Sequence, residues 1–173
     1  IDQIGLPPSR ATSHTKTPPS RSNLRNDYDL GISSVTFPGT EAVPRALVIQ
    51  SDGRQILVGR CGNNESDICL TRLMRNGQLD TSFNSTGKTI TTFGYYDDRA
   101  HAAELQSDGK LVVAGRSSKG VDLDFFILRY VSNGTLDTAF ATIGALQASL
   151  GTQLDISRDL AIDTMGRFVL AGY

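Results

Sequence analysis

The chain has 173 residues, a formal net charge of −1 and 39% hydrophobic residues. This length and apolar content are enough for a folded unit with a core, and the near-neutral charge argues against nucleic acid as a partner. No apolar run is long enough to span a bilayer, so we expect no membrane insertion.

The N-terminal segment predicts little regular structure. Residues 1–22 are interpreted as a flexible linker, because Pro7-Pro8 and Pro18-Pro19 stand among Ser, Thr and basic residues with few large apolar side chains to bury. Residues 23–45 are interpreted as the tail of a preceding repeat. Within them, Ile32–Phe37 alternates weakly and predicts a strand that ends at the following Pro-Gly pair.

One hairpin pattern then recurs along the chain. In Leu105–Gly115, apolar residues stand on both sides of a Ser-Asp-Gly turn and a glycine ends the run. This pattern is typical of two antiparallel strands joined by a tight turn. Ile49–Gly59 repeats it, and Ile162–Gly172 is a third copy without the Ser-Asp pair. A spacing of about 57 residues indicates equivalent structural units. We assign them to residues 46–101, 102–158 and, for an incomplete third copy, 159–173.

Each repeat is expected to supply four strands. In the second copy these are Ala102–Gln106, Lys110–Gly115, Asp124–Val131 and a looser Thr135–Phe140 that leads into Leu146–Leu150. The Ala-rich run before the first strand is compatible with a helix. Its counterpart in the first copy contains a proline, however, and we therefore predict a loop that enters a strand.

The turn after the third strand also predicts an ion pair. A three-residue loop ending at Gly77, with that glycine in the left-handed region, places Arg72 opposite Asp80. The same spacing places Arg129 opposite Asp137 in the second copy. We interpret both as structural cross-strand pairs.

These motifs carry a family likeness. The run Leu-Gln-Ser-Asp-Gly-Lys-Leu-Val-Val-Ala-Gly, followed by Asp-Phe-Phe-Ile-Leu-Arg-Tyr-x-x-Asn-Gly-Thr-Leu-Asp-Thr-x-Phe, resembles the delta-60 repeat of bacterial secreted and surface proteins. Ala102–Phe140 matches most closely, and the first copy departs at Cys61 and Cys69. The resemblance implies a β-propeller-like array in a long bacterial protein, often outside the cytoplasm. It brings no catalytic residues.

We therefore predict an all-β fold of tandem four-stranded antiparallel repeats, arranged as propeller-like blades in a partial, open array. Four strands per repeat suit a propeller blade, and a single blade must stack on neighbours to cover both faces. A two-sheet β-sandwich is the alternative, although it does not explain the regular period.

Possible ligand sites are weak. Gly87-Lys88-Thr89 resembles the end of a phosphate-binding loop, but Ser82 stands where the first glycine is required, so we interpret Gly87 as a turn residue. Asp122-Leu123-Asp124 comes nearest to a calcium loop. Turn or strand-entry roles are favoured for the aspartates as a group, namely Asp52, Asp67, Asp80, Asp108, Asp122, Asp124 and Asp137. The sequence assigns no catalytic, cofactor-binding or metal-binding residue.

The remaining candidates are cysteines, histidines and asparagines. Cys61 and Cys69 flank the loop between the second and third strands, so a disulfide and two free thiols both remain open at this point. Neither His14 nor His101 has a recognisable nucleophile partner. Three glycosylation sequons matter only in a eukaryotic secreted protein and are otherwise turn asparagines; they begin at Asn64, Asn84 and Asn133.

The sequence thus predicts a non-enzymatic repeat scaffold or binding module, a fragment of a larger secreted or cell-surface bacterial protein. Its expected partners are an unknown protein or glycan and the neighbouring repeats of the parent chain, and its expected location is extracellular or at the cell surface. No cofactor is expected. The alternative is part of a propeller hydrolase or lyase whose active site lies on repeats not present here.

Overall fold

The computed structural model describes residues 33–37, 41–63, 65–93, 97–151 and 154–173. The predicted linker and the first ten residues of the predicted tail lie outside these ranges. The strands in the described residues are β1 (Ala42–Ile49), β2 (Gln55–Cys61), β3 (Asp67–Leu73), β4 (Lys88–Thr91), β5 (Arg99–Leu105), β6 (Leu111–Lys119), β7 (Asp122–Tyr130), β8 (Ala145–Ala148), β9 (Ser157–Ile162) and β10 (Phe168–Gly172). A 3-10 turn at Phe83–Ser85 precedes β4.

These strands form three antiparallel sheets in chain order. Sheet 1 has the order β1-β2-β3-β4, sheet 2 has the order β5-β6-β7-β8, and sheet 3 contains β9 and β10. The prediction of all-β, four-stranded antiparallel repeats in an open array is therefore confirmed. The Ala-rich run that is compatible with a helix forms β5, as the repeat argument predicts.

Two predicted strands are wrong. Ser33–Phe37 contains no strand, and Ile32 lies outside the described residues. Among the described strands β1 pairs with β2 alone, so its outer edge is open, but this segment does not pair with it. Phe37 instead packs against the two cysteines.

The second wrong strand is Thr135–Phe140. Only an isolated bridge between Leu136 and Tyr130 forms there, and the fourth strand is β8. The reason is local, since Asp137 Oδ1 accepts a hydrogen bond of 3.2 Å from the backbone N–H of Ala139 and turns the chain.

The core lies between successive sheets rather than within one sheet. Leu111 and Val113 of β6 join the cluster that contains Ile56 and Val58 of sheet 1. The alternate residues Val112 and Ala114 join a second cluster with Leu160 of sheet 3. Because side chains alternate between the two faces of a strand, a central strand covered on both faces reads as a continuous apolar run.

The first strand of each sheet carries a β-bulge at the same repeat position. The β1–β2 pairing passes from Pro44 to Ala46 and leaves Arg45 unpaired. The β5–β6 pairing likewise leaves His101 unpaired, and the β9–β10 pairing leaves Arg158 unpaired. A bulge inserts one extra residue into one strand and redirects its side chain. We call Arg45, His101 and Arg158 the basic row.

A glycine on the second strand makes each bulge possible. A Cβ atom at Gly115 would overlap the backbone carbonyl oxygen of Arg99, and one at Gly59 would overlap that of Val43. A Cβ atom at Gly172 would likewise overlap the backbone carbonyl oxygen of Ile156. The glycine that ends each hairpin motif is therefore required by the close approach of the bulged strand.

Candidate functional site

Arg72 and Asp80 form the predicted ion pair, and it is buried. Arg72 Nε donates to Asp80 Oδ2 at 2.7 Å, and the two side chains are 4% and 1% exposed. The Arg72 guanidinium also lies 4.7 Å from the centre of the Phe83 ring. Burial alone would raise the pKa of Asp80, but hydrogen bonds from Ser82 and Arg72 hold that pKa below its usual value.

The same arginine connects sheet 1 to sheet 2. Arg72 Nη1 donates to the backbone carbonyl of Ser132 at 2.7 Å, and the Asn84 N–H donates to the carbonyl of Asn133 at 2.6 Å. A Cβ atom at Gly134 would lie only 2.6 Å from the Phe83 ring, so this ring packs directly on the glycine. We call these contacts between Arg72, Phe83 and the Ser132–Gly134 turn the repeat joint.

The second repeat carries the corresponding side chains. Arg129 Nε donates to Asp137 Oδ2 at 2.8 Å, and its guanidinium lies 4.7 Å from the centre of the Phe140 ring. Phe140 in turn packs edge-on against Phe168 of sheet 3, with 5.8 Å between ring centres. Among the described residues, the two terminal nitrogens of Arg129 have no acceptor that corresponds to the Ser132 carbonyl.

The basic row lies on three neighbouring strands. β5 contacts β1 on one side and β9 on the other, so the first strands of the three sheets run side by side. Arg45 and Arg158 are exposed and His101 is half-buried. The row therefore presents two arginines around a histidine on the accessible side of the first strands.

His101 is held in a defined orientation and in a positive field. Its Nδ1 lies 2.8 Å from the backbone carbonyl of Ser157, which requires Nδ1 to carry the proton. Burial lowers the pKa of His101 below its usual value, and the positive charges of Arg158, Arg116 and Arg45 lower it further, against the effect of the Ser157 hydrogen bond. The imidazole is consequently neutral near pH 7.

One carboxylate anchors the arginines behind the row. Asp97 accepts hydrogen bonds of 2.8 Å from both Arg99 and Arg116 and is also bonded by the Ser66 hydroxyl. Although burial opposes it, these bonds lower the pKa of Asp97. Asp97 thus holds both guanidinium groups in place behind His101.

A second buried carboxylate lies next to this group. Asp98 is fully buried, and its Oδ2 accepts a hydrogen bond of 2.8 Å from the backbone N–H of Phe93. Burial raises the pKa of Asp98, and the nearby carboxylates Asp67 and Asp97 raise it further. Asp155 plays the equivalent role in sheet 3, where Oδ2 accepts a 2.6 Å hydrogen bond from the Leu150 N–H.

The structure gives the suspected phosphate loop and glycosylation sites ordinary structural surroundings. Gly87 occupies a turn with φ of 80°, and Lys88 Nζ bonds the Thr36 carbonyl instead of facing an empty loop. Asn133 Oδ1 accepts the Thr135 N–H at 2.9 Å, as a turn asparagine does. Asn84 donates to a backbone carbonyl, while Asn64 and His14 lie outside the described residues.

The aspartates do not assemble into a calcium site within the part of the chain that the structure describes. No three His, Cys, Asp or Glu side chains there come close enough to hold a metal ion. Asp52 and Asp108 each accept the backbone N–H two residues later, at 3.0 and 3.1 Å, and so close the hairpin turns. Asp122 and Asp124 lie in β7.

Cys61 and Cys69 form a disulfide, which settles the alternative that the sequence leaves open. Cys61 is the last residue of β2 and Cys69 lies within β3, and their Cα atoms are 5.7 Å apart. The repeat position of Cys69 is taken by Phe126 in sheet 2, where Phe93 packs on it with 5.2 Å between ring centres. The disulfide and Phe37 thus fill the place of an aromatic pair.

The basic row and the repeat joint are the two features that sequence reasoning missed. A signal for the row was present, because basic residues recur at positions 45, 101 and 158 and a glycine recurs at positions 59, 115 and 172. A glycine that recurs inside a strand pattern indicates a bulge. The joint left no such signal, since its acceptor is a backbone carbonyl 60 residues away from Arg72.

The comparisons with known proteins agree with the fold. Residues 50–83 and 106–140 match a family described as a domain of unknown function (DUF5122) beta-propeller. The two matches cover corresponding parts of sheets 1 and 2, from the hairpin turn to the aromatic residue of the joint region. No curated protein matches the chain. These matches support a propeller-like repeat family, while the finer likeness to delta-60 repeats remains a prediction.

None of the helical segments in the described residues has the length and apolar character needed to cross a membrane.

Proposed function

We propose that the chain is a non-enzymatic, propeller-like scaffold and binding module within a larger secreted or cell-surface bacterial protein. The observation that carries this proposal is the repeat joint, in which the buried side chain of Arg72 binds the next sheet. The Arg72 guanidinium bonds to Asp80 and to a backbone carbonyl of sheet 2, and it packs on an aromatic ring. Such groups stabilise an array and are not available to a substrate.

The disulfide supports the proposed location. Disulfides form and persist in oxidising compartments and are rare in the reducing cytosol. Cys61 and Cys69 are both buried, at 3% and 5% exposure, so the bond is part of the packed structure. Fractionation of the host culture with an antibody to this chain tests the location, and recovery from the cytoplasm alone would contradict it.

The second candidate is a propeller hydrolase or lyase, and the basic row is the observation in its favour. Equivalent positions that differ between repeats, here Arg, His and Arg, are what an enzyme assembled from several blades requires. A neutral His101 with Nδ1 protonated leaves Nε2 as a base. Among the described residues no carboxylate pair or nucleophile faces this histidine, and we therefore rank the enzyme second.

One experiment separates the two candidates. The purified chain is incubated with a panel of defined glycans, bound glycan is measured by calorimetry, and recovered glycan is weighed by mass spectrometry. The binding role predicts that every bound glycan is recovered with its mass and chain length unchanged. Shortened or unsaturated products, absent from a His101→Gln control, would establish the enzyme instead.

A further inference from the structure

We propose that the basic row is an anion-binding site that takes an oxyanion, a sulfate or carboxylate group, between Arg45 and Arg158 and over His101. The inference deepens the proposed binding role and rests on it. It names the chemical class of the ligand and the three side chains that contact it.

The first step in the argument is that the row is built by the backbone. Each member is the extra residue of a β-bulge, and each bulge depends on a glycine in the paired strand. The side chains therefore leave three adjacent strands at one level. Bulges commonly aim a side chain at a functional position, and this one recurs in every sheet.

The second step is electrostatic. Among the described residues, neither Arg45 nor Arg158 forms an ion pair with a carboxylate. Arg158 donates to the Tyr173 hydroxyl at 2.7 Å and lies 5.2 Å from the centre of that ring. Arg99 and Arg116 lie behind the row with two carboxylates, Asp97 and the buried Asp98, and are left out of this count. Two arginines without a carboxylate partner thus lie on either side of His101, on a protein whose net charge is −1. Like charges on neighbouring strands repel, and a bound anion removes that repulsion.

The third step concerns the histidine between the arginines. His101 is half-buried, and the charged groups that lower its pKa come from β1, β6 and β9, namely Arg45, Arg116 and Arg158. With Nδ1 fixed on the Ser157 carbonyl, Nε2 is the nitrogen without a protein partner among the described residues. A bound anion favours protonation at Nε2, which then donates a charge-assisted hydrogen bond to the anion. Occupancy of the site and the titration of His101 are therefore coupled.

The test compares the full chain with two double variants of equal charge. Arg45→Gln with Arg158→Gln removes the two arginines of the row. Arg75→Gln with Arg167→Gln removes two exposed arginines at hairpin turns outside the row and serves as the matched control. Each protein is titrated with sodium sulfate against sodium chloride at matched ionic strength, and the melting temperature and the His101 pKa from NMR are recorded.

We expect sulfate, and not chloride, to raise the melting temperature of the unsubstituted chain and to raise the His101 pKa. The control variant should respond equally, and the row variant should bind at least about tenfold more weakly. An equal response of the row variant, or an equal effect of chloride, would overturn the proposal. Folding of the row variant is verified from its amide spectrum in chloride.

A second arm identifies the source of the anionic group. Glucuronate and acetate carry the same carboxylate, so tighter binding of glucuronate indicates an acidic sugar and equal binding indicates a free anion. Either result supports the site, whereas binding of neither carboxylate nor sulfate overturns it. These measurements do not depend on catalysis, so they can refute the anion site without refuting the non-enzymatic role. Glycan cleavage, in turn, would refute the non-enzymatic role without refuting the anion site.

Discussion

Removal of the Arg72 side chain provides the sharpest test of how the sheets are held together. We expect Arg72→Met to destabilise the chain much more than Arg129→Met, although the two arginines occupy the same repeat position. Both variants lose a bond to an aspartate and a contact with an aromatic ring. Only Arg72→Met also loses a hydrogen bond to the next sheet, the one to the Ser132 carbonyl.

The magnitude follows from burial. Loss of one partner from a buried ion pair costs about 3–5 kcal/mol, because the other charge stays buried without compensation. Arg54 Nε lies 3.4 Å from Asp80 Oδ2 and is 42% exposed, so it offsets only part of that cost. An unmade hydrogen bond to the Ser132 carbonyl adds about 1 kcal/mol. We therefore expect Arg72→Met to lower the free energy of unfolding by about 3–4 kcal/mol, near the lower end of the range for a broken buried ion pair.

The assay is equilibrium unfolding in urea, followed by circular dichroism. With a slope of about 2 kcal/mol per molar urea, Arg72→Met should move the midpoint down by about 1.5–2 M. Arg129→Met should cause a clearly smaller shift, because Arg129 and Asp137 are 18% and 8% exposed and Arg129 makes no bond that corresponds to the one with the Ser132 carbonyl. Equal shifts for the two variants would refute the argument from burial and from the joint.

The pH dependence gives an independent reading of the same pair. The pKa of Asp80 is lowered from 3.8 in the folded chain, so the stability that this carboxylate contributes is present above pH 3.8 and is lost as the pH falls through the lowered pKa. The difference in the free energy of unfolding between the unsubstituted chain and Arg72→Met should therefore become smaller in acid. A difference that stays constant from pH 7 to pH 2 would contradict this assignment.

Three further outcomes are expected. Gly115→Ala should lower the free energy of unfolding by about 3 kcal/mol or more, because the new Cβ overlaps the Arg99 carbonyl oxygen. Gly109→Ala has open space around the new Cβ but a φ of +81°, so it should lower the free energy of unfolding in urea by only about 1–2 kcal/mol. Equal losses for the two variants would refute the bulge argument. Reduction of the Cys61–Cys69 disulfide, which closes a loop of sequence separation 8, should lower stability by about 2–3 kcal/mol in the same assay, and an unchanged midpoint would count against a structural bond. Asp98→Asn should melt at a higher temperature than the unsubstituted chain at pH 7. The raised pKa means that the folded chain tolerates the carboxylate poorly above that pKa and gains stability as the pH falls toward 3.8, so the two melting curves should converge in acid; a less stable variant at pH 7 would show that the charge is needed.

The parts of the fold that depend on local chemistry could be predicted from the sequence. Asp-Gly and Asn-Gly turns fix hairpin register within a few residues, and Gly77 adopts the predicted left-handed conformation with φ of 83°. That register was sufficient to pair Arg72 with Asp80 and Arg129 with Asp137. The 57-residue period then carried the same prediction from the first copy to the second.

The parts that depend on contacts between repeats could not be predicted. The Thr135–Phe140 segment has strand-forming residues, but the Asp137 carboxylate binds its own backbone and makes a turn. The apolar Phe37 fits the end of a predicted strand, but in the structure it packs against the Cys61–Cys69 disulfide. The basic row was missed because its glycine signal, at Gly59 and its counterparts, looks like an ordinary strand end until the bulge register is known.

The repeat joint has a direction. Arg72 and Phe83 of sheet 1 contact the Ser132–Gly134 turn of sheet 2, so the two sheets contribute different surfaces to this contact. A contact of this kind is heterologous. Copies of the chain that associated through it would do so with a single polarity, and would form either a closed ring or an open filament.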